Sequence, residues 1–175
     1  MRISVAALGQ TSGLCTTFLL KQHFEDISLT GETVTFITPV ELEVEALKKG
    51  RSVLFDGTIR TTVNMVCSRC LKNFELPIQT EYREKFYQMA GTKVEQHIDT
   101  DEIHLFSGEI IDLTDTVQES LLLALPMKVL CRSDCSGICP LCGGDLNQRV
   151  CDCKNESTDQ RLAILQQLMK NRKEG

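Results

Sequence analysis

The chain has no tryptophan, two tyrosines, three histidines and four prolines in 175 residues. It also lacks any apolar run approaching the roughly 18 residues of a membrane span, so no transmembrane helix is expected. The scarcity of histidine bears on chemistry. His23, His97 and His104 stand in no ligand spacing, whereas catalytic zinc keeps an open position and often uses His. His23-Phe24-Glu25 reads H-x-E, but the P-C-x-x-C that completes a zinc deaminase signature is missing, and the chain has C-P-x-C instead. There is no P-loop, no G-x-G-x-x-G and no G-x-S-x-G. A protein that is not an enzyme, with no small-molecule substrate, is the expectation.

The N-terminal stretch "MRISVAALGQTSGLCTTFLL" interrupts any apolar core with Gly, Gln, Thr and Ser and shows no small-residue cleavage site. Cys15 follows Leu14, where a lipidated cysteine needs a small residue. A cytoplasmic location without membrane attachment is expected. The net charge of −5 argues against bulk binding to polyanions. The charge is uneven: Glu81 to Glu119 carries ten acidic and three basic residues. Any nucleic-acid contact would need a local basic face, and the acidic stretch is either a solvated surface or a docking strip.

Cysteine is what the chain has in excess. Nine are present, six of them in "LCRSDCSGICPLCGGDLNQRVCDC", Leu130 to Cys153. Disulfides rarely persist in a reducing compartment, and an odd count suits a closed disulfide set poorly. A redox role for Cys67-Ser-Arg-Cys70 would need a helix start beside a βαβ pattern, but strands flank it. Neither common iron–sulfur spacing occurs, although four thiolates can hold a cluster. Structural zinc is the better reading, since four thiolates with no spare position are its usual donor set. Eight clustered thiols divide into two sites, hence two zinc ions. The favoured division puts Cys139, Cys142, Cys151 and Cys153 on one ion and Cys67, Cys70, Cys131 and Cys135 on the other. The rival, as in a zinc ribbon, pairs Cys67 and Cys70 with Cys139 and Cys142. Cys15 stands apart as a lone thiol.

Period-two alternation predicts three consecutive strands in an antiparallel meander. Their inner faces carry Val34, Phe36, Val40, Leu42, Val44 and Ala46; then Val53, Phe55, Ile59, Val63 and Met65; then Phe74, Leu76, Ile78, Tyr82 and Phe86. "KKGR" makes the first turn and "CSRCLKN" the second, with Pro77 marking an edge or a bulge. "RISVAAL" adds a strand, and "EIHLFSGEIIDL" forms a short hairpin through Ser107-Gly108. A helix follows in "DLTDTVQESLLLALP", capped by Asp112 or Thr114, with Leu113, Val117, Leu121, Ala124 and Leu125 on its apolar stripe and Pro126 ending it. A second helix opens on the capping box "STDQ" and carries Leu162, Leu165, Leu168 and Met169. The fold class is therefore α+β: an antiparallel meander, as a curved sheet or partial barrel, with two helices and a Cys-rich segment. The expected divisions are a β-rich core with its helix over 1–126, the zinc segment over 127–157, and a C-terminal helix packed on the core over 158–175.

"CSRCL", "IDLTDTVQESLLLALP", the Cys-rich segment with its "DLN", and "DQRLAILQQL" resemble, in order and spacing, the YceD-like proteins, named for accumulation of large-subunit ribosomal RNA. The likeness runs from about Val40 to Met169, with Asp159-Gln160-Arg161 where many members have Asp-Pro-Arg. It implies a non-enzymatic ribosome-assembly factor whose partner is a large-subunit rRNA precursor or ribosomal protein. Some relatives lack most of these cysteines, so zinc is expected to stabilise this branch. Two expectations follow: RNA contact through Arg132, Arg149, Lys154 and Arg161, or a protein-only adaptor whose acidic strip docks a basic ribosomal protein.

Overall fold

Alternation decides the central strands. From Val40 to Ala46 in "VELEVEALKK" every second residue is apolar, so an extended chain has one buried face and one wet one. A computed structural model of the protein describes residues 1–8, 15–29, 32–89 and 103–153. It divides the chain into two compact units, Met1–Ser68 with Lys72–Cys131, and Arg69–Leu71 with Arg132–Gly175.

The first unit holds the sheet. In chain order its elements are β1 (Arg2–Ser4), a 3-10 turn (Val5–Leu8), β2 (Cys15–Gln22), β3 (Ile27–Leu29), β4 (Glu32–Phe36), β5 (Val40–Lys49), β6 (Ser52–Val66), β7 (Asn73–Gln88), β8 (His104–Phe106), β9 (Ile110–Asp112) and α1 (Thr114–Ala124). The sheet has seven strands. Strands β2, β5, β6 and β7 pair antiparallel in that order, β4 lies beside the far end of β6 with β3 outside it, and β8 joins β7 in parallel. Among the described residues no pairing joins its edges, so the sheet is open and not a closed barrel. None of the described helices is long and apolar enough to cross a membrane.

Most residues of the expected inner faces are buried, while Phe36, Phe74 and Leu76 are partly buried against the core. Val40, Leu42, Val44, Ala46, Val53, Phe55, Ile59, Ile78, Tyr82 and Phe86 lie in the core, with Val117 and Leu121 of α1 and Leu113 just before it packed among them. Each such aliphatic or aromatic side chain contributes about 1.5–3 kcal/mol when taken from water. The Tyr82 hydroxyl, fully buried, meets Thr116 Oγ1 at 2.7 Å, which satisfies a polar group the core could not otherwise hold.

Turn chemistry sets the register. Gly50, at φ 61°, leads a two-residue loop that pairs Lys49 with Ser52. The strand expected to run from Val34 to Ala46 is broken at Ile37-Thr38-Pro39, where the Ile37 and Thr38 amides both reach Thr62 O. Pro77 sits opposite Thr62. The Thr62 amide donates to Thr38 Oγ1, away from β7, so the missing proline N–H falls on the open side of β7 and costs the ladder nothing.

Three expectations need correction or bounding. The hairpin through Ser107-Gly108 does not form: β8 pairs with β7, whereas β9 pairs with β1 through Arg2↔Asp112 and Ile3↔Ile111. Alternation reports that a strand exists but not which partner it takes. The α1 N-cap position is Leu113, without a side-chain bond of its own; Asp112 Oδ1 instead accepts from the Thr114 amide at 3.0 Å. One α-helix occurs among the described residues, and the expected helix over 158–175 lies outside them.

Candidate metal centres

Each C-x-x-C segment ends on a residue with left-handed backbone: Leu71 at φ 58° after Cys67-Ser-Arg-Cys70, and Gly143 at φ 69° after Cys139-Pro-Leu-Cys142. That conformation reverses the chain tightly and turns amides toward the first sulfur. In the second knuckle the Leu141 amide lies 3.4 Å from Cys139 Sγ, and the Gly143 amide bonds Cys139 O at 2.9 Å. The Cys67 amide bonds Lys72 O at 2.9 Å, closing the base of the first knuckle.

The sulfurs gather in fours. Cys67, Cys70, Cys131 and Cys135 form one group and Cys139, Cys142, Cys151 and Cys153 the other, with all sulfurs of a group within 4.8 Å of one another. The ribbon-like alternative, which pairs the two knuckles, is not the arrangement found. No cysteine is disulfide-bonded, and Cys15 stands exposed outside both groups. In the first group Cys67, Cys70 and Cys135 are buried; in the second only Cys139 is, with Cys142 and Cys153 exposed.

Thiols packed this closely cannot ionise independently. Cys139 is lowered to about 6, chiefly by the Cys142 and Leu141 amides aimed at its sulfur. Its neighbours move the other way. Cys153 is pushed up to about 12, first by its bond to Cys142 and then by burial. At Cys151 the Cys153 amide favours the thiolate, but contact with Cys139 and burial outweigh it, so the thiol is raised. One thiolate thus suppresses the next, and a bound cation would reverse this and let all four deprotonate. Four sulfurs at ~2.3 Å from a tetrahedral zinc stand ~3.8 Å apart, within the observed spread. The donor set fits zinc, and both groups could hold a metal ion.

The segment between the knuckles and the last cysteines is organised by polar residues that spacing did not single out. Arg69 Nη1 donates to Cys135 O at 2.7 Å. Gly137, at φ 78°, would place a Cβ only 3.1 Å from Arg69 O, so a side chain there meets backbone. Asp145 Oδ1 accepts from both the amide and Nδ2 of Asn147, at 2.9 and 2.8 Å. Asn147 Oδ1 accepts from Ser136 N and Arg132 Nη2, both at 2.8 Å, and its Nδ2 lies 3.5 Å from Cys135 Sγ. The only sequence signal was the "DLN" triplet.

Of the four basic residues expected to meet RNA, Arg149 is exposed in this segment. Arg132 is committed to Asn147 and to Asp134, whose Oδ1 is 3.2 Å from its Nε. Lys154 and Arg161 lie outside the described residues, as do residues 90–102 of the acidic stretch. Within that stretch Glu84 meets His104 Nε2 at 3.0 Å, and Asp112 is bonded by Arg2 and Thr114.

Fold and site together define an α+β protein with an open antiparallel sheet and two all-cysteine groups that could each hold a metal ion. The family model described as "Large ribosomal RNA subunit accumulation protein YceD" matches residues 55–169, and the chain belongs to that family. It is 30% identical over 159 residues to the protein YlbN of Bacillus subtilis, covering 86% of this chain and 90% of that one. It is 28% identical over 147 residues to "Large ribosomal RNA subunit accumulation protein YCED homolog 1, chloroplastic" of Arabidopsis thaliana, covering 70% of this chain and 46% of that protein. No solved structure matches the chain.

Proposed function

We propose that this protein is a non-enzymatic factor in large-subunit ribosome assembly, needed for accumulation of large-subunit ribosomal RNA and stabilised by two structural zinc ions. The observation that carries the reading is the family match, which spans residues 55–169 and so takes in all eight clustered cysteines. The absence of chemistry of its own is supported by the donor sets: four thiols each leave a tetrahedral ion no open position for substrate. Zinc, when bound, supplies charge neutralisation and a covalent-strength crosslink; the chain supplies the shape. Cysteines 67, 70, 131 and 135 would hold one ion and cysteines 139, 142, 151 and 153 the other.

In this reading the protein binds precursor RNA through a small set of basic residues: Arg149, exposed in the cysteine-rich segment, and Lys154 and Arg161 further along the sequence. Charge reversal at Arg149 and Lys154 should weaken association with large-subunit rRNA and flatten its salt slope by about one unit per lost phosphate contact. Depletion should lower mature large-subunit rRNA while transcription continues. Unchanged rRNA levels on depletion would end the reading.

A second reading, a protein-only adaptor that docks a basic ribosomal protein, gains from one observation: the Arg132 guanidinium is already engaged with Asn147 and Asp134. If reversals at Arg149 and Lys154 leave rRNA accumulation intact while reversals within Glu81 to Glu119 do not, the adaptor takes its place.

A further inference from the structure

We propose that Asn147 couples the two cysteine groups, so that metal at Cys139, Cys142, Cys151 and Cys153 raises the metal affinity of the group containing Cys135. This rests on the zinc reading above. Cys142 and Cys151 belong to one group, so a metal there closes residues 143–150 into a short loop. That loop is braced against residues 137–139: the Cys139 amide bonds Gly144 O at 2.8 Å, and the Leu146 amide bonds Gly137 O at 3.0 Å. Asp145 pairs across to Ile138. Asn147 rides on this loop and reaches out of it to a sulfur of the other group.

The amide has two donor hydrogens and two acceptor lone pairs, and all four are used. Its orientation is decided by neighbours that cannot exchange roles. Ser136 N–H and the Arg132 guanidinium only donate, so Oδ1 must face them, at 2.8 Å each. Nδ2 is then left for two acceptors, Asp145 Oδ1 at 2.8 Å and Cys135 Sγ at 3.5 Å. A thiolate is acceptor-only, so a metal-bound Cys135 is the state this arrangement favours. Asn147 is thus a positioning residue: it donates to a ligand of one group from a loop that the other group closes. Outer-shell donors of this kind typically change metal affinity by about 10–100-fold. Coupling of binding free energies is reciprocal, so filling the first group must also favour the second.

The test uses the full chain loaded with cobalt(II), read by its sulfur-to-metal charge-transfer bands and by chelator competition. Removing one group with Cys142→Ser and Cys151→Ser should weaken the Cys135 group about 10–100-fold. Asn147→Ala should weaken it by a similar factor, and the combined variant should show no further loss. Asn147→Asp keeps the acceptors for Ser136 and Arg132 but cannot donate to sulfur, so it should shift the charge-transfer band of the Cys135 group while the sheet's circular dichroism holds. Two tetrathiolate sites with multiplying, independent effects, or an unshifted band in Asn147→Asp, would overturn the coupling alone. A wild-type chain that takes up no metal, with all thiols titratable, would overturn the zinc reading and the coupling with it.

Discussion

Leu71 is the sole non-glycine with positive φ among the described residues, at 58°, where the second knuckle has Gly143. A left-handed L-residue costs about 1–2 kcal/mol, more when β-branched. Leu71→Gly should therefore leave thermal stability unchanged or slightly raised, whereas Leu71→Ile should lower it by about 1–2 kcal/mol. Asp112 makes a different prediction. Burial raises its carboxyl, but hydrogen bonds from Thr114 and Arg2 outweigh this and hold it well below the usual carboxylate range. A depressed folded value means the contribution is fully present above the unfolded value of about 3.9 and is lost as pH falls through the folded one. Asp112→Asn should flatten the acid limb of stability below about pH 4, read from denaturant midpoints against pH. At this scale the cysteine groups were legible in the sequence because C-x-x-C is local and eight thiols clustered around two such pairs divide naturally into fours. Asn147 was not legible. Its bonds run back to Arg132, Cys135 and Ser136, 11 to 15 residues upstream, and no spacing rule encodes that reach.

Among the strands, Gly57 explains how β5 and β6 come so close. A Cβ there would lie 2.1 Å from Glu43 O and 2.7 Å from Val44 Cα, so the two backbones nearly touch. Gly57→Ala must push β5 away from β6 in the middle of the sheet. The expected loss is about 2–3 kcal/mol, seen as a fall in the thermal midpoint. The strands themselves were readable because the apolar residues of β5, β6 and β7 keep one period-two phase, which resumes after Gly57 and Thr61 in β6 and after Thr80 and Glu84 in β7. Partner choice was not. The segments that became β8 and β9 look like a hairpin by proximity, yet β7 and β1 offer them longer-range ladders. Likewise a continuous apolar face concealed the break at Ile37-Thr38-Pro39, because the face resumes in phase after it.

For the molecule as a whole, metal should act on one unit far more than on the other. Structural zinc is worth about 10–16 kcal/mol in small peptides, as much as a whole domain's stability. A strong chelator should strip hydrogen-exchange protection from residues 132–153 while β5, β6 and β7 keep theirs; equal loss in both would contradict it. The topology also sets an order of events. Strands β5, β6 and β7 are consecutive hairpin neighbours, but Arg2–Ser4 must wait for Ile110–Asp112. Closing a long loop is slow and is rewarded only at the end. At about 5–20 residues per second, a nascent chain would hold its opening strand idle for roughly 5–20 s after that strand is synthesised. Pulsed labelling during refolding should find the amides of β1 and β9 protected last, so the opening strand is the piece most open to misassembly while the chain is being made.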